Sequence, residues 1–270
     1  MKNDIKKVYI CFPQWKHKVL TMSYDDGRHE DRHLLEIFNK YGIKGTFNLN
    51  SGLKDDPKRI PQSEYKELYK GHEVACHTFS HPTISRCPLA SVADEVLEDR
   101  KRLEKIMGYP VRGLAYPNGS YSDEICSLLP ALGIRYGRIV GNSESFEIPS
   151  DFMRWKATCH HNHKLQELGE QFVSLKKKQY LYMMYVWGHS YEFTQNDNWN
   201  VMEDFCQFVG GQDDIWYATN IEIVDYFDTA RQAQFAADNS FVYNPSAQSL
   251  WLCIDDSEYI EVKGGILATL

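Results

Sequence analysis

No apolar run in this 270-residue chain approaches membrane-spanning length, and Met1-Lys2-Asn3-Asp4-Ile5-Lys6-Lys7 is not followed by an apolar segment long enough for a signal peptide. The expectation is a cytoplasmic protein with no membrane partner. An excess of positive charge is missing too. Lys and Arg number 30 against 37 Asp and Glu, a net charge of -7 that argues against a nucleic-acid partner, whose phosphates need cationic neutralisation. No C-x-x-C pair occurs among the 7 cysteines, which are odd in number and scattered (11, 76, 87, 126, 159, 206 and 253), so buried free thiols in a reducing compartment are expected. Internal repeats and low-complexity linkers are absent. With 43% hydrophobic and 25% charged residues the sequence is that of an ordinary globular protein, long enough for one large α/β domain or two small ones. None of these features encodes an oligomeric state.

What is present is an alternation of strand and helix patterns. Short apolar runs at 8–12, 19–24, 45–49, 73–76, 111–116, 134–139, 180–187 and 215–218 read as strands. Between them, helical spacing predicts helices near 34–41, 63–70, 89–107, 122–132, 164–176 and 199–208, with a last one from Ile221 towards Ala236. About seven strand-helix units point to a parallel sheet or TIM-type barrel with its site at the C-terminal ends of the strands. The pattern changes beyond Ala237 to short runs broken by Asn244-Pro245 and Gly264-Gly265. The expected division is a barrel over 1–236 and a small β extension over 237–270, packed on the barrel with residues 8–12 as its pairing partner.

One strand organises the rest. Val19-Leu20-Thr21-Met22-Ser23-Tyr24-Asp25-Asp26-Gly27 is an apolar run ending in two adjacent carboxylates. Gly27 is expected to turn the backbone so that both acids address one site. Two acids are too few for a catalytic metal, but His77 and His81 follow a second short strand, and a four-residue spacing on a helical turn would put both imidazoles on one face. One carboxylate and two histidines leave open positions for water and substrate. The plain alternative is a surface loop and a chance H-x-x-x-H.

At these residues the sequence resembles the polysaccharide deacetylases of the NodB-homology type, carbohydrate esterase family 4. Ser23-Tyr24-Asp25-Asp26-Gly27 matches the family's T-F-D-D-G motif, and His77-Thr78-Phe79-Ser80-His81 its H-[S/T]-x-x-H motif. Ala115-Tyr116-Pro117-Asn118-Gly119 meets R-x-P-Y-G in part, Asp151-Phe152-Met153-Arg154-Trp155 approximates D-x-x-D-W, and Trp187-Gly188-His189 the L-x-H motif. The resemblance implies a distorted (β/α)7 TIM-like barrel and a hydrolase acting on an acetylated carbohydrate. It implies one divalent cation on Asp26, His77 and His81, zinc first, with cobalt, nickel, manganese or iron as alternatives. Asp25 becomes the general base, unless it is only a supporting acid, and His189 the general acid. The backbone N–H of Asn118 stabilises the oxyanion, and Tyr116, Trp155 and Trp187 line the substrate. The competing functions are a hydrolase of a small non-sugar amide and a catalytically inactive carbohydrate-binding protein.

Two departures from the family pattern carry a further expectation. Ala115 stands where the third motif has arginine, and Arg154 where the fourth has its inner aspartate. Arg154 is therefore expected to replace the missing guanidinium beside Asp25, leaving Asp151 or another acid to support His189. The cluster His160-His161-Asn162-His163 reads as a loop lining the substrate rather than as a second metal site.

Overall fold

In the computed structural model, which describes residues 6–270, the chain enters through β1 (Val8–Cys11) and turns into β2 (Lys18–Asp25), buried at every position. Helix α1 (Asp31–Tyr41) stops at Gly42, which takes the left-handed conformation at φ 67° that a helix end requires. The alternation continues through β3 (Gly45–Leu49), α2 (Tyr65–Leu68), β4 (Glu73–Cys76), α3 (Leu89–Met107), β5 (Gly113–Ala115), α4 (Asp123–Leu128) and β6 (Tyr136–Ile139). Then come β7 (Trp155–Lys156), β8 (Cys159–His160), α5 (Leu165–Ser174), β9 (Tyr182–Gly188), α6 (Tyr191–Gln195), α7 (Trp199–Val209), β10 (Ile215–Tyr217) and α8 (Asn220–Gln232). Among the described residues no helix is long and apolar enough to cross a membrane. All seven cysteines are free thiols, as their scatter predicts.

All the barrel strands are parallel. The hydrogen-bonded order runs β7-β6-β5-β4-β3-β2-β9-β8, with β10 alongside the start of β2. Strands β7 and β8 are two ends of one extended stretch. Trp155 registers with Arg138 of β6, whereas Cys159 and His160 register with Val186 and Trp187 of β9, so residues 155–160 span the last gap in a seven-membered barrel. This closing segment is not among the predicted strands.

Alternation decides which side chains enter the barrel. Leu20, Met22 and Tyr24 pack in the cluster between strands and helices, while Val19 joins the separate cluster that holds Tyr136, Trp155 and Tyr185. Thr21 shares the parity of Val19 and donates to Asn220 Oδ1 at 2.8 Å. Glu73 accepts from Thr46 Oγ1, Tyr136 Oη and the Ile221 backbone N–H at 2.8–2.9 Å. Such buried polar groups are tolerable because each finds a partner. Asp25 and Arg138 continue these inward-facing series, so strand parity places them inside the barrel.

Beyond α8 the chain forms β11 (Gln234–Phe235), β12 (Phe241–Tyr243), β13 (Leu250–Ile254), β14 (Glu258–Val262) and β15 (Leu267–Thr269). The expected pairing is present: β1 lies antiparallel to β13, Val8 opposite Ile254, and β14 flanks the other side. Beneath it Phe12 is fully buried against Trp216, Tyr226 and Phe227. Tyr226 Oη donates to the Cys11 carbonyl and accepts from Trp251 N–H at 3.2 Å. Each large apolar side chain uncovered here forfeits about 1.5–3 kcal/mol. Truncation after Ala237 should therefore yield an insoluble or strongly destabilised protein by thermal melt and sedimentation; a soluble fragment with the parent melting temperature would contradict this packing.

Candidate active site

The strand ends deliver the motif residues to one place through backbone that L-residues rarely adopt. Asp26, Thr78, His81 and Asn118 have φ of 80°, 64°, 61° and 55°. Left-handed non-glycine residues cost free energy and cluster where function demands a fixed geometry. These angles revise two expectations. Asp26 itself makes the turn, with Gly27 continuing it at φ 61°, and residues 77–81 form no helical turn. His81 is folded back onto His77 by the left-handed residues at 78 and 81.

The ligating atoms of Asp26, His77 and His81 lie within 4.8 Å of one another. His77 Nδ1 is 2.8 Å from the Ala115 carbonyl, so that nitrogen carries the proton and Nε2 presents its lone pair. The two Nε2 atoms stand 3.1 Å apart, close to the roughly 3.3 Å separating two nitrogens on a tetrahedral ion at ~2.0–2.1 Å. Burial lowers the His77 pKa to about 4, which keeps the imidazole neutral as a ligand must be. The donor set fits a divalent cation. Arg59 adds a contact the motifs do not reveal, with Nη2 3.3 Å from Asp26 Oδ1 and Nη1 2.9 Å from Asn50 Oδ1.

Asp25 is buried beside these ligands, its Oδ2 3.8 Å from His77 Nε2 and 3.9 Å from His189 Nε2. Asn48 Nδ2 donates to Oδ1 at 2.8 Å, and Arg138 Nη2 donates to Oδ2. Burial pushes the carboxyl up, but Arg138, with His77 and His189, outweighs it and holds the pKa at about 2. The Arg138 guanidinium carbon lies over the Trp187 ring, 4.5 Å from its centre. His189 Nδ1 stands 2.8 Å from Glu192 Oε1. Burial lowers the His189 pKa, and the bond to Glu192 with the charge of Asp25 reverses this, leaving it raised.

The expected Arg154–Asp25 pair does not form. Arg154 binds Asp151 at 2.5 Å and Asp123 at 2.6 Å on the surface, and Arg138 occupies the place beside Asp25. Strand register explains the exchange, because Arg138 on β6 is the direct partner of Ala115 on β5. A guanidinium one strand over reaches the same interior point, and the small side chain at 115 leaves it room. Arg138 is detectable in the sequence as a charged residue two positions after Tyr136, on the same face of the expected strand 134–139. The acid beside His189 is Glu192, not Asp151.

Tyr116 and Trp155 are likewise not at an open subsite. Tyr116 is buried and donates to the Met153 carbonyl at 2.8 Å, and Trp155 is fully buried against Tyr136, Phe152 and Tyr185. Trp187 keeps 7% of its surface exposed and lies next to His160 and His189. Asn118 is exposed, and its Nδ2 reaches Thr83 Oγ1 on the loop that follows His81 at 3.2 Å.

Residues 13–137 match the family model described as polysaccharide deacetylase. A chitooligosaccharide deacetylase from Rhizobium leguminosarum bv. phaseoli is 30% identical over 104 residues, 38% of this chain and 44% of that protein. The chain spans less than half the length of the first curated relatives it matches. A Mycobacterium smegmatis structure provisionally described as a polysaccharide deacetylase aligns over 82% of this chain and 94% of its own, with TM-score 0.61 and 14% identity. A family 4 acetyl xylan esterase from Clostridium thermocellum in complex with a cobalt ion covers 77% and 90%, with TM-score 0.51 and 12% identity. At such identities the two structures share the fold.

Removing Arg138 leaves a buried carboxylate without its cation, a loss of about 3–5 kcal/mol, and lets Asp25 move by a distance that costs catalysis on the order of 10²-fold. Arg138→Ala should lose turnover on that scale, whereas Arg154→Ala, whose ion pairs are solvent-exposed, should stay within about threefold of the parent. The reverse ranking in a steady-state assay would contradict the assignment.

Proposed function

We propose that this protein is a metal-dependent hydrolase that removes acetyl groups, from nitrogen or oxygen, from a carbohydrate. The observation that carries the reading is the juxtaposition of the buried Asp25 carboxylate with His77, one of three metal-type donors that stand together, and with His189, both within 4 Å of Asp25 Oδ2. The match of residues 13–137 to the polysaccharide deacetylase family model and the cobalt ion in a fold neighbour support it. Zinc suits the two imidazoles and one carboxylate best.

A bound divalent cation would polarise the acyl carbonyl and lower the pKa of water at the site towards ~7. Asp26, His77 and His81 would hold that cation, and His77 is kept in the ligating tautomer by the Ala115 carbonyl. Asp25 accepts a proton from the attacking water, its oxygens aimed by Arg138 and Asn48. The Asn118 backbone N–H, in a left-handed turn after Pro117, is the donor for the developing oxyanion. His189, whose Nε2 lies 3.9 Å from Asp25 Oδ2, supplies a proton to the leaving group.

Acetate release from acetylated chitooligosaccharides, xylan fragments and peptidoglycan fragments tests the reading, and no release from any of them by metal-loaded protein would sink it. Metal analysis should find about one divalent ion per chain, lost in His77→Ala and His81→Ala because one of three protein ligands is gone. Asp25→Asn should retain the ion while losing ~10²-fold or more in turnover, as a base that is not a ligand does. Full occupancy in both histidine variants, or metal loss in Asp25→Asn, would overturn the division of roles.

A further inference from the structure

The candidate metal ligands stand on two backbone turns that residues other than glycine rarely adopt, with Asp26 at φ 80° and Thr78, which follows His77, at φ 64°. Two side chains outside the motifs hold these turns. Arg59 Nη1 donates to the backbone carbonyl of Asp26 and, at 2.9 Å, to Asn50 Oδ1, while Nη2 donates to Asp26 Oδ1 at 3.3 Å. Asn50 Nδ2 in turn donates to the carbonyls of His77 and Thr78 at 2.5 and 2.9 Å. Both side chains are buried. One continuous set of hydrogen bonds therefore joins the turn that carries the carboxylate to the turn that carries the imidazoles.

The backbone anchors Arg59 independently of its side chain. The His29 N–H donates to the Lys58 carbonyl at 3.2 Å and the Ile60 N–H to the Gly27 carbonyl at 2.9 Å, an antiparallel bridge that sets residue 59 opposite Arg28. Asp56 Oδ2 lies 3.4 Å from Arg59 Nε and balances the guanidinium charge. By charge alone a guanidinium beside a ligand would repel a divalent ion. Its geometry acts in the other direction, because the planar fork fixes a carbonyl, a carboxylate oxygen and an amide oxygen at once, which an ammonium group cannot do. Among the described residues no protein donor reaches the other carboxylate oxygen of Asp26, which is left for a cation.

We infer that Arg59 and Asn50 are positioning residues that preorganise the metal site, the guanidinium fixing Asp26 and the amide fixing the turn after His77. The inference rests on the reading of Asp26, His77 and His81 as metal ligands. Left-handed backbone at non-glycine residues costs free energy and persists only where surrounding contacts hold it. Without the clamp the metal-free protein relaxes from the ligating geometry, and an arriving ion must first restore it. Contacts of this kind behind the ligands are worth ~10–100-fold in metal affinity.

The test is the zinc affinity of the full chain, stripped of metal and titrated in competition with a chromophoric chelator, beside the melting temperature of the metal-free protein. Arg59→Met, which keeps an apolar stem and removes the fork, should bind zinc ~10–100-fold more weakly than the parent. Arg59→Lys should fall in the same range although it keeps the charge, and Asn50→Ala should do likewise. Should Arg59→Met not fold, Arg59→Lys carries the same comparison. A lowered melting temperature with unchanged zinc affinity would mark a merely structural role and overturn the inference. Tighter binding by Arg59→Met, with Arg59→Lys at the parental affinity, would show that only the charge matters and would overturn it as well. A parent that binds zinc no more tightly than its variants contradicts the inference alone, whereas a parent that binds neither zinc nor cobalt brings down the metal-site reading and the inference with it.

Discussion

A single ion pair inside the barrel, between Asp25 and Arg138, is the contact on which the site depends. A carboxylate this deep is tolerable only when a cation and hydrogen bonds replace its water. Arg138 supplies the cation and Asn48 the second oxygen's donor, and Trp187 covers the guanidinium face. The room for a guanidinium at this point comes from β5. At Gly113 an added Cβ would fall 2.1 Å from the Tyr136 hydroxyl, and position 115, registered with Arg138, holds only alanine. Small residues on one strand thus make space for large polar ones on the next.

Around this pair the protein keeps two histidines in opposite states by the same means. His77 gives its Nδ1 proton to the Ala115 carbonyl and is left neutral by burial, free to ligate. His189 faces an ionised glutamate on one side and Asp25 on the other, and its pKa is raised. A neutral carbonyl behind one ring and a charged carboxylate behind the other distinguish the proposed ligand from the proposed proton donor.

Much of this was legible in the sequence. Strands β3 and β4, helix α3 and the pairing of β1 with β13 agree with the readings from apolar runs and glycine stops, and Asp26, His77 and His81, the candidate metal ligands, come together just beyond strand ends. The closing segment at 155–160 was not, because Trp-Lys-Ala-Thr-Cys-His has no long apolar run and is held extended by neighbours at its two ends. Arg154 was misassigned because motif order locates a residue along the chain, whereas the register of β5 with β6 decides which guanidinium reaches Asp25. The third and fourth motifs look like a broken exchange until that register is known. Glu192 lay three residues beyond His189 on a short helix whose pattern carries no core signal, so only the fold reveals its contact with the histidine.

The central claim is that a guanidinium beside Asp25 is required and that the strand supplying it is immaterial. Turnover of metal-loaded Arg138→Ala should therefore recover in part when Ala115→Arg is added, since position 115 is the registered partner facing the same interior point. Recovery of at least about tenfold over the single variant is predicted, a gain of roughly 1.4 kcal/mol in the barrier. A folded, metal-loaded double variant no more active than Arg138→Ala would contradict the account, as would parental turnover in Arg138→Ala alone.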